Sequence, residues 1–285
     1  MVVGALFIAT TGVWVSFADA SPGTASVYRC LLALPFLVLL AIWKSRGEGV
    51  PSRRQLGRAA AAGVLFSGDM LLWTQAITEV GAGLTAVLVN LQVVFVPALA
   101  WIVDNESVPR RYLIAVPVVL LGVIFTSGVI EGGGAGAEPL RGTVHATMAS
   151  LCYSGFLFLL RSGGRGGLTM RTYVVVIASA TVASMFLGAV WRGVDLTPGW
   201  GTLGWLLLVA VCGQVLGWLL VAMCLPHLPS HTGALLLLLT PVGALALGAL
   251  VLAERPTPLQ LFGSALILIS VLIVTARRAT PGVER

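Results

Sequence analysis

The chain has 285 residues, 58% of them hydrophobic and only 10% charged, and its mean hydropathy is +0.98. A soluble domain carries roughly 25% charged residues, so this composition excludes a water-soluble globular protein and makes the bilayer the solvent. The formal charge of +6 sits in short loops rather than on one face, which argues against a nucleic-acid partner, and the four cysteines (Cys30, Cys152, Cys212, Cys224) lie singly in apolar runs, as reduced fillers would.

A helix needs about 20 apolar residues to cross the hydrocarbon, and ten such stretches follow one another. The chain enters the first, near 2–17, almost at once, as expected of a sequence lacking a few leading residues. Ala18-Asp19-Ala20 at its end resembles a signal-peptide cleavage site, but no basic segment precedes it, so an uncleaved span is expected. The second span, near 23–43, holds Tyr28 and Arg29 in its outer part. The third, near 58–78, holds Asp69 at its middle and Trp73 one turn on. The fourth, near 83–102, contains Asn90 and Gln92, and the fifth runs near 110–128. A Gly-rich joint within 129–141 precedes the second set, near 142–160 (with His145 and Tyr153), 172–190, 203–224 (with Gln214 and Trp218), 233–252 and 258–276. Units of 1–130 and 140–278, with a tail at 279–285, are the expected division.

The two sets echo each other. Gly68-Asp69-Met70-Leu71-Leu72-Trp73 matches Gly213-Gln214-Val215-Leu216-Gly217-Trp218, and an acid closes an apolar run 33 residues after the first Trp (Glu106) and 36 after the second (Glu254). Ala41-Ile42-Trp43-Lys44 and Ala189-Val190-Trp191-Arg192 form another pair. With the N-terminus placed in the cytoplasm, inner loops and tail carry thirteen Lys and Arg and outer loops carry three. That satisfies the positive-inside rule and puts both termini in the cytoplasm. Five spans per unit is odd, so the units must face opposite ways: two inverted five-helix repeats, ten transmembrane helices, all α.

Here the chain resembles the EamA-like members of the drug/metabolite transporter superfamily. The resemblance rests on Ala222, Leu239-Thr240-Pro241, Leu252-Ala253-Glu254 and Gly263 in the second unit, on Ala76, Glu106 and Gly122 in the first, and on Arg29. Val93 stands where the family has Pro, which predicts a fourth helix less kinked than its partner. The resemblance implies a bacterial inner-membrane carrier of amino acids, sugars, nucleotide-linked metabolites or drugs.

Asp69 is the leading site residue. A carboxylate near the bilayer centre costs on the order of 3 kcal/mol or more, so it reads as a proton carrier and substrate contact, or else as half of a structural ion pair. Trp73 shares its helix face and offers an aromatic wall or a cation-binding ring, with packing the other reading. Gln214 and Trp218 repeat that spacing, so all four are expected around one cavity. Arg29, about 10 Å deep at helical rise, is placed to meet Asp69 directly or through a substrate carboxylate. Asn90 and Gln92 point about 200° apart on one helix, so one of them, Asn90, is expected in the cavity. His145 is a second candidate for proton coupling, though structural roles are common for such residues. Trp14, Tyr28 and Tyr153 are candidate cavity aromatics. Glu106 and Glu254 read as capping or loop residues pairing with Arg110, Arg111 or Arg255.

No phosphate loop, metal-spaced cluster or nucleophile elbow is present, so neither catalysis nor a cofactor is expected. The reading is a secondary transporter exporting a small zwitterionic or cationic metabolite by alternating access, with proton exchange. Uptake or multidrug export on the same fold is the alternative, followed by an intramembrane enzyme or a non-transporting subunit. Its partners are the substrate and the lipid. Gly213 and Gly217 permit close helix contact, which suits a monomer or a homodimer.

Overall fold

In lipid each backbone N–H and C=O must find its partner within the protein, and an apolar chain meets that demand by forming helices. The computed structural model describes all residues except 45–50, 106–109, 127–129, 131–137, 163–169, 192, 225–236, 238 and 277–285. The described residues contain no strand. In chain order they form α1 (Val2–Ala18), α2 (Pro22–Leu31), α3 (Leu34–Lys44), α4 (Arg53–Val80), α5 (Ala82–Val89), α6 (Gln92–Asp104), α7 (Arg110–Thr126), α8 (Pro139–Ser162) and α9 (Met170–Trp191). There follow α10 (Trp200–Leu208), a π-helical stretch (Val209–Gly217), α11 (Trp218–Cys224), α12 (Leu239–Val251) and α13 (Pro258–Ala276). Five stretches are long and apolar enough to cross a membrane: Pro22–Lys44, Arg53–Val80, Ala82–Val103, Met170–Trp191 and Trp200–Val221. Shorter apolar helices cover Val2–Ala18, Ile114–Thr126, Leu239–Val251 and Pro258–Ser270.

Local chemistry sets the ends and breaks. Ser52 and Gln55 form a reciprocal capping box at the start of α4, and Thr257 with Gln260 does the same for α13. Pro35 lacks the N–H that would continue α2 into α3, and the chain tightens there through Ala33 N–H to Cys30 O at 3.1 Å. Between α5 and α6 the helix breaks at Asn90-Leu91, where each N–H bonds three residues back, to Val87 O and Leu88 O. The carbonyl of Val89 accepts instead from Ser150 Oγ of α8 at 2.8 Å, and Asn90 Nδ2 donates to Ala86 O at 2.7 Å. The fourth span is thus strongly interrupted even though Val93 replaces the expected proline. Pro97 lies further along, inside α6.

Lipid tails are as apolar as leucine, so helices associate through close packing rather than through hydrophobic transfer. α4 is the central helix and packs on α8 and α9; α7 packs on α13, and α1 on α12 and the π-stretch. Small residues make the tight crossings. A Cβ at Gly263 would lie 2.5 Å from Thr126 N and 2.6 Å from Gly122 O. α4 and α9 also share a hydroxyl pair, Ser67 with Ser184 at 2.9 Å. The largest buried cluster, which includes Leu37, Phe66, Met70, Phe156 and Ile177, surrounds α4.

Glu254 corrects one expectation. It follows α12 and caps a helix, but its partner is not Arg255. Its carboxylate accepts from Ala82 N at 2.6 Å and Gly83 N at 3.0 Å, at the N-terminus of α5. Free N–H groups and the helix dipole make that end a natural seat for an anion. Gly81, at φ 88°, makes the sharp turn that presents them. Glu106 lies outside the described residues.

Candidate functional site

A cavity with about 850 Å³ of space between its atoms, its open mouth included, lies where α1, α2, α4, α5, α6, α8, α11 and α12 meet. Its walls are mostly apolar and aromatic, with Phe66, Trp73, Tyr153 and Trp218 contributing rings. The polar lining is sparse: Thr11, Arg29, Asp69, Asn90, Gln92 and Thr240. A few convergent polar groups in an apolar concavity are the general form of a small-molecule site.

Asp69 and Arg29 carry the opposite charges of this lining, and both are nearly buried, at 8% and 6% exposed. No ion pair within 4.0 Å joins them, so the direct pairing that the sequence allowed is not made. Asp69 Oδ1 is buried and accepts no hydrogen bond among the described residues. The Arg29 guanidinium instead lies over the Trp73 ring, 5.3 Å from its centroid, where the ring's quadrupole attracts a cation. A substrate bearing both charges would meet complementary groups on both sides.

Of the four residues expected to face one centre, Asp69, Trp73 and Trp218 line the cavity and Gln214 does not. Gln214 lies within the π-helical stretch Val209–Gly217. Gln214 is fully buried behind Arg29. With its amide oxygen toward the guanidinium, it accepts from Arg29 Nε and Nη2, each at 3.2 Å.

Asn90 and Gln92 both line the cavity, contrary to the expectation that only one could. That expectation assumed an unbroken helix, and the break at Asn90-Leu91 removes it. Gln92 Oε1 is buried with no hydrogen-bond partner among the described residues.

Tyr153 joins the aromatic wall, with its ring 6.0 Å from Phe156 and 5.8 Å from Trp218. Trp14 and Tyr28 do not line the cavity. Trp14 stacks on Trp205 at 5.6 Å, and the Tyr28 hydroxyl donates to Leu196 O at 2.7 Å. His145 is also elsewhere. Its Nδ1 lies 2.6 Å from Glu79 Oε2, while Gln75 Nε2 donates to the other Glu79 oxygen at 2.8 Å. Glu79 lies ten residues beyond Asp69 on α4, about 15 Å along the axis. Sequence reading missed this cluster because Glu79 falls at a span edge, where an acid looks like an ordinary loop residue.

The model of the EamA-like transporter family matches this chain twice, at residues 1–128 and 140–276. The chain belongs to the EamA-like transporter family. This EamA protein is therefore a multi-pass membrane transporter, and the cavity is the natural candidate for its cargo site. The uncharacterized transporter YcbK of Bacillus subtilis (strain 168) is 24% identical to it, over 92% of this chain and 87% of that one. A crystal structure described only as that of a protein matches with a TM-score of 0.60 at 14% identity, covering 98% of the EamA chain and 96% of the other. That likeness shows a shared fold.

Proposed function

We propose that this EamA protein is a secondary transporter of a bacterial inner membrane, built as two inverted five-helix repeats with both termini in the cytoplasm. It exports small metabolites of the amino-acid kind by alternating access, in exchange for protons. The observation that carries the reading is the pair of opposite charges in one aromatic-walled cavity, Arg29 and Asp69, with no ion pair between them. Charges held apart beside a cavity are available to a zwitterion: Arg29 for the carboxylate, Asp69 for the ammonium. Asp69 is also the proton site, because a carboxylate this deep is costly to leave charged once the cargo departs. The repeat assignment is supported by the Gly68–Trp73 and Gly213–Trp218 echo and by the two family matches. The orientation is supported by the loop charges.

The test is transport in proteoliposomes with a metabolite panel and an imposed pH gradient of either sign. Export coupling predicts accumulation with one sign only. Asp69→Asn is expected to abolish the pH dependence; if rate and pH dependence both stay as in the wild type, coupling through Asp69 is wrong. Accumulation with the opposite gradient, or of bulky lipophilic cations alone, would favour the uptake or multidrug reading.

A further inference from the structure

The second half of the chain carries Gln214 where the first carries Asp69, and the fold sets this amide behind the cavity rather than in it. Arg29 is buried and needs acceptors for its donors. With the Gln214 amide turned so that its oxygen faces the guanidinium, Gln214 is the only hydrogen-bond partner of Arg29 among the described residues, at 3.2 Å from both Nε and Nη2. Trp73 supports the guanidinium from one face. Gln214 itself is fixed. It is fully buried on the π-stretch, and its backbone carbonyl accepts from Tyr173 Oη at 3.2 Å. Its neighbour Gly213 permits the approach to α1, since a Cβ there would lie 2.8 Å from the Thr11 methyl.

This arrangement has a chemical consequence. Guanidinium is a planar fork whose donors point along two edges. With that amide orientation Gln214 occupies the Nε–Nη2 edge, which leaves the other Nη donors of this cavity-lining residue without a hydrogen bond among the described residues. A neutral amide satisfies donors without cancelling charge, whereas a carboxylate at this position would form a bidentate ion pair and neutralise Arg29.

We propose that Gln214 is a positioning and specificity-determining residue: it orients Arg29 and preserves its full positive charge, so that the open edge of the guanidinium recognises a substrate carboxylate. The inference rests on the reading of Arg29 given under Proposed function. The Asp69–Gln214 mismatch between the halves then has a role. An acid in the second position would make Arg29 an internal salt bridge and leave the cavity with no group for an anionic end.

The experiment uses the full chain in proteoliposomes and measures counterflow of the twenty L-amino acids, each paired with its carboxamide, which keeps the ammonium and lacks the carboxylate. Wild type is expected to prefer its best amino acid over the matching amide. Gln214→Glu is expected to reduce that preference by at least about tenfold, the worth of one charge-assisted hydrogen bond, through a higher KM for the amino acid with amide transport retained. Gln214→Met, near in length but unable to cancel charge, is expected to reduce it less and serves if the Glu variant does not fold. Amide transport is the readout that a merely structural role would not spare. A wild-type carrier with no preference for any acid over its amide overturns the carboxylate reading of Arg29 and this proposal with it. A wild-type preference that Gln214→Glu or the folded Met variant keeps in full overturns the positioning role alone.

Discussion

Glu254 offers the sharpest test of how the halves are held together. Its carboxylate accepts from Ala82 N at 2.6 Å and Gly83 N at 3.0 Å, tying the end of α12 to the start of α5, which carries the cavity residues Ala86 and Val89. Hydrogen bonds to a charged acceptor are worth about 1.5–3 kcal/mol each, and the charge gains about 0.3–1 kcal/mol more from the helix N-terminus. Glu254→Ala leaves both N–H groups without that acceptor, so a loss of about 3 kcal/mol is a moderate expectation. Glu254→Gln keeps one acceptor oxygen but turns an NH2 toward the second donor, so about half of that should go. At roughly 2–4 °C per kcal/mol, the Ala variant should melt about 6–12 °C below the wild type in detergent, with Gln between them. Gly248→Ala provides an independent route, since its Cβ would overlap Glu254 Oε2 and push the carboxylate from its seat. An Ala variant at position 254 that melts within about 1 °C of the wild type refutes the capping argument. So does a Gly248→Ala variant that does.

Trp73→Ala removes the ring beneath the Arg29 guanidinium and should weaken cargo binding by about 0.5–2 kcal/mol, read as a rise in the dissociation constant by titration calorimetry. Gly263→Ala drives a Cβ into the α7 backbone at Thr126 and Gly122; a loss of about 1–3 kcal/mol should appear in the melting temperature, with an unchanged melt as the contrary result. Glu79→Gln removes the carboxylate that meets His145 Nδ1 and should lower the melting temperature while leaving cargo affinity unchanged, because Glu79 lies about 15 Å along the helix from Asp69. An affinity change as large as that of Trp73→Ala would place it in the site.

The helices were legible because lipid leaves an apolar backbone so few choices: where hydropathy ran for 20 residues, the described residues are mostly helical, with the spans near 23–43 and 83–102 each broken into two pieces. Asp69, Arg29 and Trp73 were legible because charge and aromatic polarity inside such runs are expensive enough to stand out. What stayed hidden depended on contacts between distant segments. The break at Asn90-Leu91 is completed by Ser150, 61 residues away from the carbonyl it satisfies, and nothing in Val89-Asn90-Leu91-Gln92 announces it. Gln214, on the π-stretch, is buried behind Arg29 instead of lining the cavity with Trp218, although the two motifs read almost alike. Glu254 pairs with backbone 171 and 172 residues away, and backbone donors have no signature in side-chain identity.

The central claim is that cargo lies between Arg29 and Asp69. The most direct measurement is counterflow of the best substrate from the panel by the reconstituted wild type, Arg29→Gln and Asp69→Asn, each shown monodisperse first. Both variants are expected to lose tenfold or more in apparent affinity, with Arg29→Gln losing the preference for a carboxylate and Asp69→Asn the preference for an ammonium. Two variants that carry the substrate with the wild-type KM and selectivity contradict the claim.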